Sequence, residues 1–125
     1  SSTLNNTKGK VKDDKNTPLD HIPPMFGRTA LKFSKNKLQI EAFSLYNGWK
    51  KIADYNLDGE DNQQYATADG MPSWWTLNLR SAFQINKHLQ IQAACENILD
   101  KNYRNFASGI SNAGRNFIVT LRGNI

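Results

Sequence analysis

The sequence predicts an all-β chain, an antiparallel up-and-down meander of about five strands. Two observations predict it. Apolar residues recur with period two along most of the chain, while helical periodicity is weak. A long lead-in precedes the first alternating segment, and the connections that follow are short, long, short and long in turn, which orders the strands as neighbouring hairpins.

The first strand, "FGRTALKFS", follows the turn-forming "HIPPMFG". A tight turn at Ser34-Lys35-Asn36 leads into the second, "KLQIEAFSLYNGW". A long polar stretch, "KKIADYNLDGEDNQQYATADGMPS", then precedes the third, "WWTLNLRSAFQI". There Trp75, Leu77, Leu79, Ser81, Phe83 and Ile85 face one way, and Thr76, Asn78, Arg80, Ala82 and Gln84 face the other. A short turn at Asn86-Lys87 opens the fourth, "HLQIQAACENI", which sets Leu89, Ile91, Ala93 and Cys95 against Gln90, Gln92, Ala94 and Glu96. After the loop "LDKNYRNFASGISNAGR" the chain ends on "NFIVTLRGNI", with Phe117, Val119, Leu121, Gly123 and Ile125 on one face.

The unequal connections place every tight turn at one end of the sheet and every long loop at the other. Outer-membrane barrels have this asymmetry. Their strands need ~9–11 residues to cross the apolar slab, and these segments supply them. Gln, Asn, Arg and Glu on the second face suit a wet lumen. A soluble sheet with one buried face shares the alternation, so a soluble antiparallel β-sheet domain binding calcium or carbohydrate is the alternative. Five strands cannot close a membrane barrel, whose smallest members have about eight. A barrel reading therefore makes this chain part of a larger one.

Composition narrows the function classes. The chain has 125 residues, 38% hydrophobic, with a formal charge of +5. Its basic residues are scattered, and Lys8, Lys10, Lys12 and Lys15 are diluted by Asp13 and Asp14. The aromatic-plus-basic argument for nucleic acid is poor, so nucleic acid is not expected as a partner. Cys95 is the sole cysteine, which excludes an internal disulfide. There is no catalytic triad, P-loop, paired catalytic carboxylate or metalloprotease motif, so the chain is not expected to be an enzyme.

Several residues suggest sites. "DYNLDG" (Asp54, Asn56, Asp58, Gly59) copies the first half of a calcium loop, although Tyr65 occupies the twelfth position, where a bidentate acid belongs. Glu60 and Asp61 could substitute. Calcium is the one cofactor with any motif here; no other is expected. Trp74 and Trp75 open a strand, with Trp49 at the same level across the hairpin, as aromatics at a membrane interface do. Tyr103, Arg104, Phe106 and Arg115 combine rings with guanidinium groups, a set suited to an anionic chelate.

The segment "ENILDKNYRNFASGISNAGRNFIVTLRGNI" resembles the C-terminal signature of TonB-dependent outer-membrane receptors. In that family an N-L-x-D-K-x-Y segment ends a strand, and Gly-Arg opens the final one. Here these are Asn97, Leu99, Asp100, Lys101 and Tyr103, then Gly114-Arg115. "PLDHIPPMFGRTALKF" resembles the family's I-P-P lead into a strand, and residues 74–103 match its penultimate hairpin. The final residue departs from the pattern: it is Ile125, where an aromatic is usual.

The resemblance implies that residues 25–125 are the C-terminal part of a large transmembrane β-barrel. Loops 47–72 and 99–114 would be external, and residues 1–24 a polar external loop or disordered lead-in. It implies the outer membrane of a Gram-negative bacterium, with lipid as a partner and TonB reached through a plug domain upstream. The implied cargo is a scarce nutrient, a ferric siderophore or other metal chelate.

Overall fold

A computed structural model describes residues 1–12 and 17–123. The expectations for Asp13, Asp14, Lys15, Asn124 and Ile125 lie outside the described residues. Ten-residue strands β2 (Phe26–Lys35) and β3 (Leu38–Asn47) form the first hairpin. β6 (Trp74–Gln84), β7 (Leu89–Glu96) and β8 (Asn116–Gly123) complete the meander. Every pairing is antiparallel, and the described residues contain no α-helix.

The sheet has six strands, not five, because β1 (Ser2–Asn5) adds to the free edge of β2. The polar lead-in expected over residues 1–24 therefore begins as a strand. Its sequence, STLN, is too short and polar to show alternation. The pairing is fixed instead by partners: the Ser1 nitrogen donates to Ala30 O, and the Tyr46 hydroxyl donates to Thr3 O. Two short strands, β4 (Lys50–Lys51) and β5 (Gly70–Met71), form a separate ladder inside the long loop after β3.

The register sorts the side chains by face, because directly paired residues in a sheet share one. One rung runs Phe33, Ile40, Ser81, Ala93, Val119. The next runs Lys35, Leu38, Phe83, Ile91, Leu121. Between them, on the opposite face, runs Ser34, Gln39, Ala82, Gln92, Thr120. These are the two faces that the alternation predicts.

The apolar face is not a core. Leu31 is 77% exposed, Val119 75% and Phe117 73%. A contiguous apolar surface left open in this way marks contact with lipid or with another protein. On the polar face, charges alternate across the strands. Arg28 bonds Glu41, which also lies 4.0 Å from Lys32; Arg80 donates to Glu96 at 2.8 Å. The guanidinium groups of Arg28 and Arg80 lie over the Phe43 ring, 4.4 and 4.8 Å from its centroid.

The tight turns, Asn36-Lys37 and residues 85–88, lie at one end of the sheet. The other end carries three long loops, 6–25, 48–73 and 97–115. Much of what is buried in this chain lies among them: Lys50, Tyr55, Asp61, Met71 and Asn97.

Candidate functional site

Loop 48–73 is folded back on itself by the β4–β5 ladder. Gly70 makes this possible, with φ +108, and a Cβ there would fall 2.1 Å from the Lys50 carbonyl oxygen. Within the bracket lie two 3-10 turns, Ile52–Asp54 and Gln63–Tyr65.

The expected calcium residues are held otherwise. The Asn56 side-chain oxygen accepts the Asp58 amide at 3.2 Å, a local turn bond, while Asp54 and Asp58 are exposed. Gly59 gives Asp20 room: a Cβ at Gly59 would fall 1.8 Å from the Asp20 carboxylate. Among the described residues, no group of three or more His, Cys, Asp or Glu side chains is placed to hold a metal ion. The loop turns instead around Asp61. That carboxylate accepts the backbone amides of His21 (2.8 Å) and Asn56 (3.0 Å) and faces the Lys50 ammonium at 3.8 Å.

Loop 97–115 is stapled at its base. Asn97 takes the left-handed conformation (φ 50), and its side-chain amide donates to Lys101 O (2.8 Å) and Ala113 O (3.1 Å). Its oxygen accepts the Lys101 amide at 2.9 Å, and its backbone amide donates to Asn78 Oδ1 at 2.9 Å. Asp100 Oδ1 accepts the Arg115 amide, and Arg115 Nε donates to Ile98 O. The Asn97–Asp100 motif thus closes a loop mouth, for which short side chains with carbonyl or carboxylate oxygens are needed.

The four residues suggested for ligand binding separate into two pairs. Tyr103 and Arg104 line a cavity of about 350 Å³ with Tyr65, Trp74 and Ser111. Arg104 donates to Tyr65 O and Ser111 Oγ at 3.4 Å each. Phe106 turns away into the loop interior, edge-on to Tyr55 at 5.7 Å, and the Nε of Arg115 is engaged by Ile98 O. Burial raises the pKa of both Tyr55 and Tyr103, with smaller contributions from Asp61 and Glu96 respectively.

The three tryptophans also separate. Trp75 lies on the apolar face, paired with Tyr46, and together they place two rings at the long-loop end of that face. Tyr46 is a partner that the sequence reading missed, though its alternation with Ser44 and Ala42 carried the signal. Trp74 lies on the other face, because adjacent strand residues point to opposite sides, and its ring meets that of Tyr103 with centroids 4.2 Å apart and planes tilted by 40°. Its indole Nε1 is buried without a hydrogen-bond partner. Trp49 is half exposed beyond the end of β3 and donates to Asp69 O.

No family model matches the chain. It is 37% identical over 51 residues to the "Probable TonB-dependent receptor BfrD" of Bordetella pertussis, a stretch that covers 41% of this chain and 6% of that protein. Among solved structures, it superposes on "Copper transporter OprC" with a TM-score of 0.81 and 17% sequence identity. That likeness covers 98% of this chain and 20% of the other. The chain therefore spans only a small fraction of the length of the proteins it matches.

Proposed function

We propose that the chain is a segment of a TonB-dependent receptor barrel of the Gram-negative outer membrane, that it closes part of the barrel wall and that it helps capture a nutrient outside. The observation that carries this reading is the division of the sheet into an apolar face whose large side chains are left largely exposed and a polar, charged one. Lipid satisfies the first and a filled, wet interior the second. A soluble calcium- or carbohydrate-binding sheet would have to bury the apolar face, and among the described residues no layer packs on it.

The tight-turn end is periplasmic in this reading, and the three long loops are external. Tyr46 and Trp75 sit at the external lipid interface. The cargo is a metal chelate, a ferric siderophore above all. Support comes from the cavity beside Trp74, Tyr103 and Arg104. It joins two rings to a guanidinium, and these suit a flat, anionic ligand. Energy comes from TonB, through a plug domain that fills the barrel.

The test is binding and uptake by the full-length receptor in outer membranes, using ferric siderophores, haem, cobalamin and copper. One chelate should bind, its uptake should cease without TonB, and Arg104→Ala should weaken binding by about tenfold or more through loss of a charge-assisted contact. Binding of none of these, or uptake without TonB, would overturn the proposal.

A further inference from the structure

We infer that Lys50 is a positioning residue for ligand capture, its buried ammonium fastening three separate loops and holding the Trp74–Tyr103–Arg104 cavity open in advance. The Lys50 side chain is 5% exposed and that of its partner Asp61 1%. From loop 6–25, the carbonyl of Ile22 accepts a hydrogen bond from Lys50 Nζ at 2.7 Å. Loop 48–73 supplies Asp61 at 3.8 Å and the face of Tyr55 at 5.5 Å. From loop 97–115 comes the Phe106 ring, 4.8 Å from the ammonium. Asp61 repeats the link by accepting the His21 amide of loop 6–25.

A buried ion pair contributes little net stability, because desolvation offsets the attraction; removing one partner leaves an uncompensated charge. Such a pair is suited to fixing geometry. The connection to the cavity is short. Asn62, next to Asp61, donates to Ala107 O, and the turn Gln63–Tyr65 follows directly. Tyr65 O accepts a hydrogen bond from Arg104, and Tyr65 lines the cavity. Phe106, held by the ammonium, stands two residues from Arg104 on the other side. Displacing Lys50 thus releases both walls. The DYNLDG loop also needs no external cation for its buried carboxylate, since Lys50 supplies the charge.

The inference rests on the preceding reading only for its ligand step. The experiment is hydrogen exchange on the full-length receptor, without ligand, comparing wild type, Lys50→Met, Lys50→Arg and Phe106→Ala. Lys50→Met should raise exchange by about tenfold or more in residues 17–25, 48–73 and 97–115, with the sheet strands unchanged. Phe106→Ala should loosen 97–115 alone, and it guards against a Lys50→Met protein that fails to fold. Lys50→Arg should restore part of the protection. Chelator treatment of the wild type should change nothing. Loosening confined to 48–73, or none in 97–115 with Phe106→Ala, would overturn the fastening. Loosened loops with unchanged affinity for the chelate found to bind would overturn the positioning role. If no chelate binds wild type, the functional reading fails while the exchange result still decides the fastening.

Discussion

The sheet and the loop cluster solve the problem of burial in opposite ways. In the strands, large apolar side chains such as Leu31, Val119 and Phe117 stand open to the surroundings. In the loops, Tyr55, Met71, Asp61 and Lys50 are shut away from them. In the proposed reading the sheet relies on its environment for solvation, lipid on one face and a filled interior on the other. The loops make their own interior, as a soluble domain does, but with polar groups and one ion pair at its centre. The difference teaches that side-chain burial need not lie where the regular structure lies.

A charge placed on the apolar face gives the largest expected contrast. Leu31→Arg, near the middle of β2, should destabilise the receptor in lipid vesicles by ~2–4 kcal/mol, the cost of a cation at mid-bilayer depth on a lipid face. Gln39→Arg, on the polar face, should change stability by no more than about 0.5 kcal/mol. Urea unfolding of both variants in vesicles measures the difference. Equal costs would mean that the two faces do not see different solvents.

Asn97→Ala probes the loops with an intermediate effect. It removes three part-buried side-chain hydrogen bonds at the base of loop 97–115. The expected cost is about 0.5–1.5 kcal/mol for each bond, confined to the loop. Limited proteolysis within 99–114 should accelerate while unfolding of the strands is unaltered. A lowered global unfolding midpoint with an intact loop would reverse the assignment.

The same division explains what the sequence disclosed. The faces of β6, β7 and β8 follow from period-two alternation, a local signal that needs no knowledge of partners. The Asn97–Asp100 motif stood out only by its resemblance, as the end of a strand; the loop mouth it closes depends on Ala113 and Arg115, well over ten residues along the chain. The loop interior could not be read this way. Lys50 reaches Ile22, Asp61 and Phe106 from three different loops, and nothing periodic links those positions. DYNLDG matched a calcium spacing because both uses need oxygens on a tight turn; only the fold shows that the neutralising cation is a lysine. The division of Trp74 from Trp75 was legible in principle, because adjacent residues of a strand cannot share a face. Strand β1 was not, since four residues, three of them polar, become a strand only by pairing with β2.

The smallest effect is expected where charge is densest in the sheet. Glu41 pairs with Arg28 and lies near Lys32, and its rung continues to Arg80. The side chains of Arg28, Lys32 and Glu41 are all partly exposed, between 21% and 66%. Partly exposed ion pairs of this kind contribute about 0–1 kcal/mol, because water screens the attraction and ordering long side chains offsets it. Glu41→Gln should therefore shift the unfolding midpoint in vesicles only slightly, and high salt should erase even that shift. This outcome requires that the polar face be wet. If the interior of the intact barrel instead packs dry against this rung, the same substitution strands Arg28 and Lys32 in a low-dielectric contact and costs several-fold more. Glu41→Gln thus measures how wet the barrel interior is, from the side opposite to the one that Leu31→Arg tests.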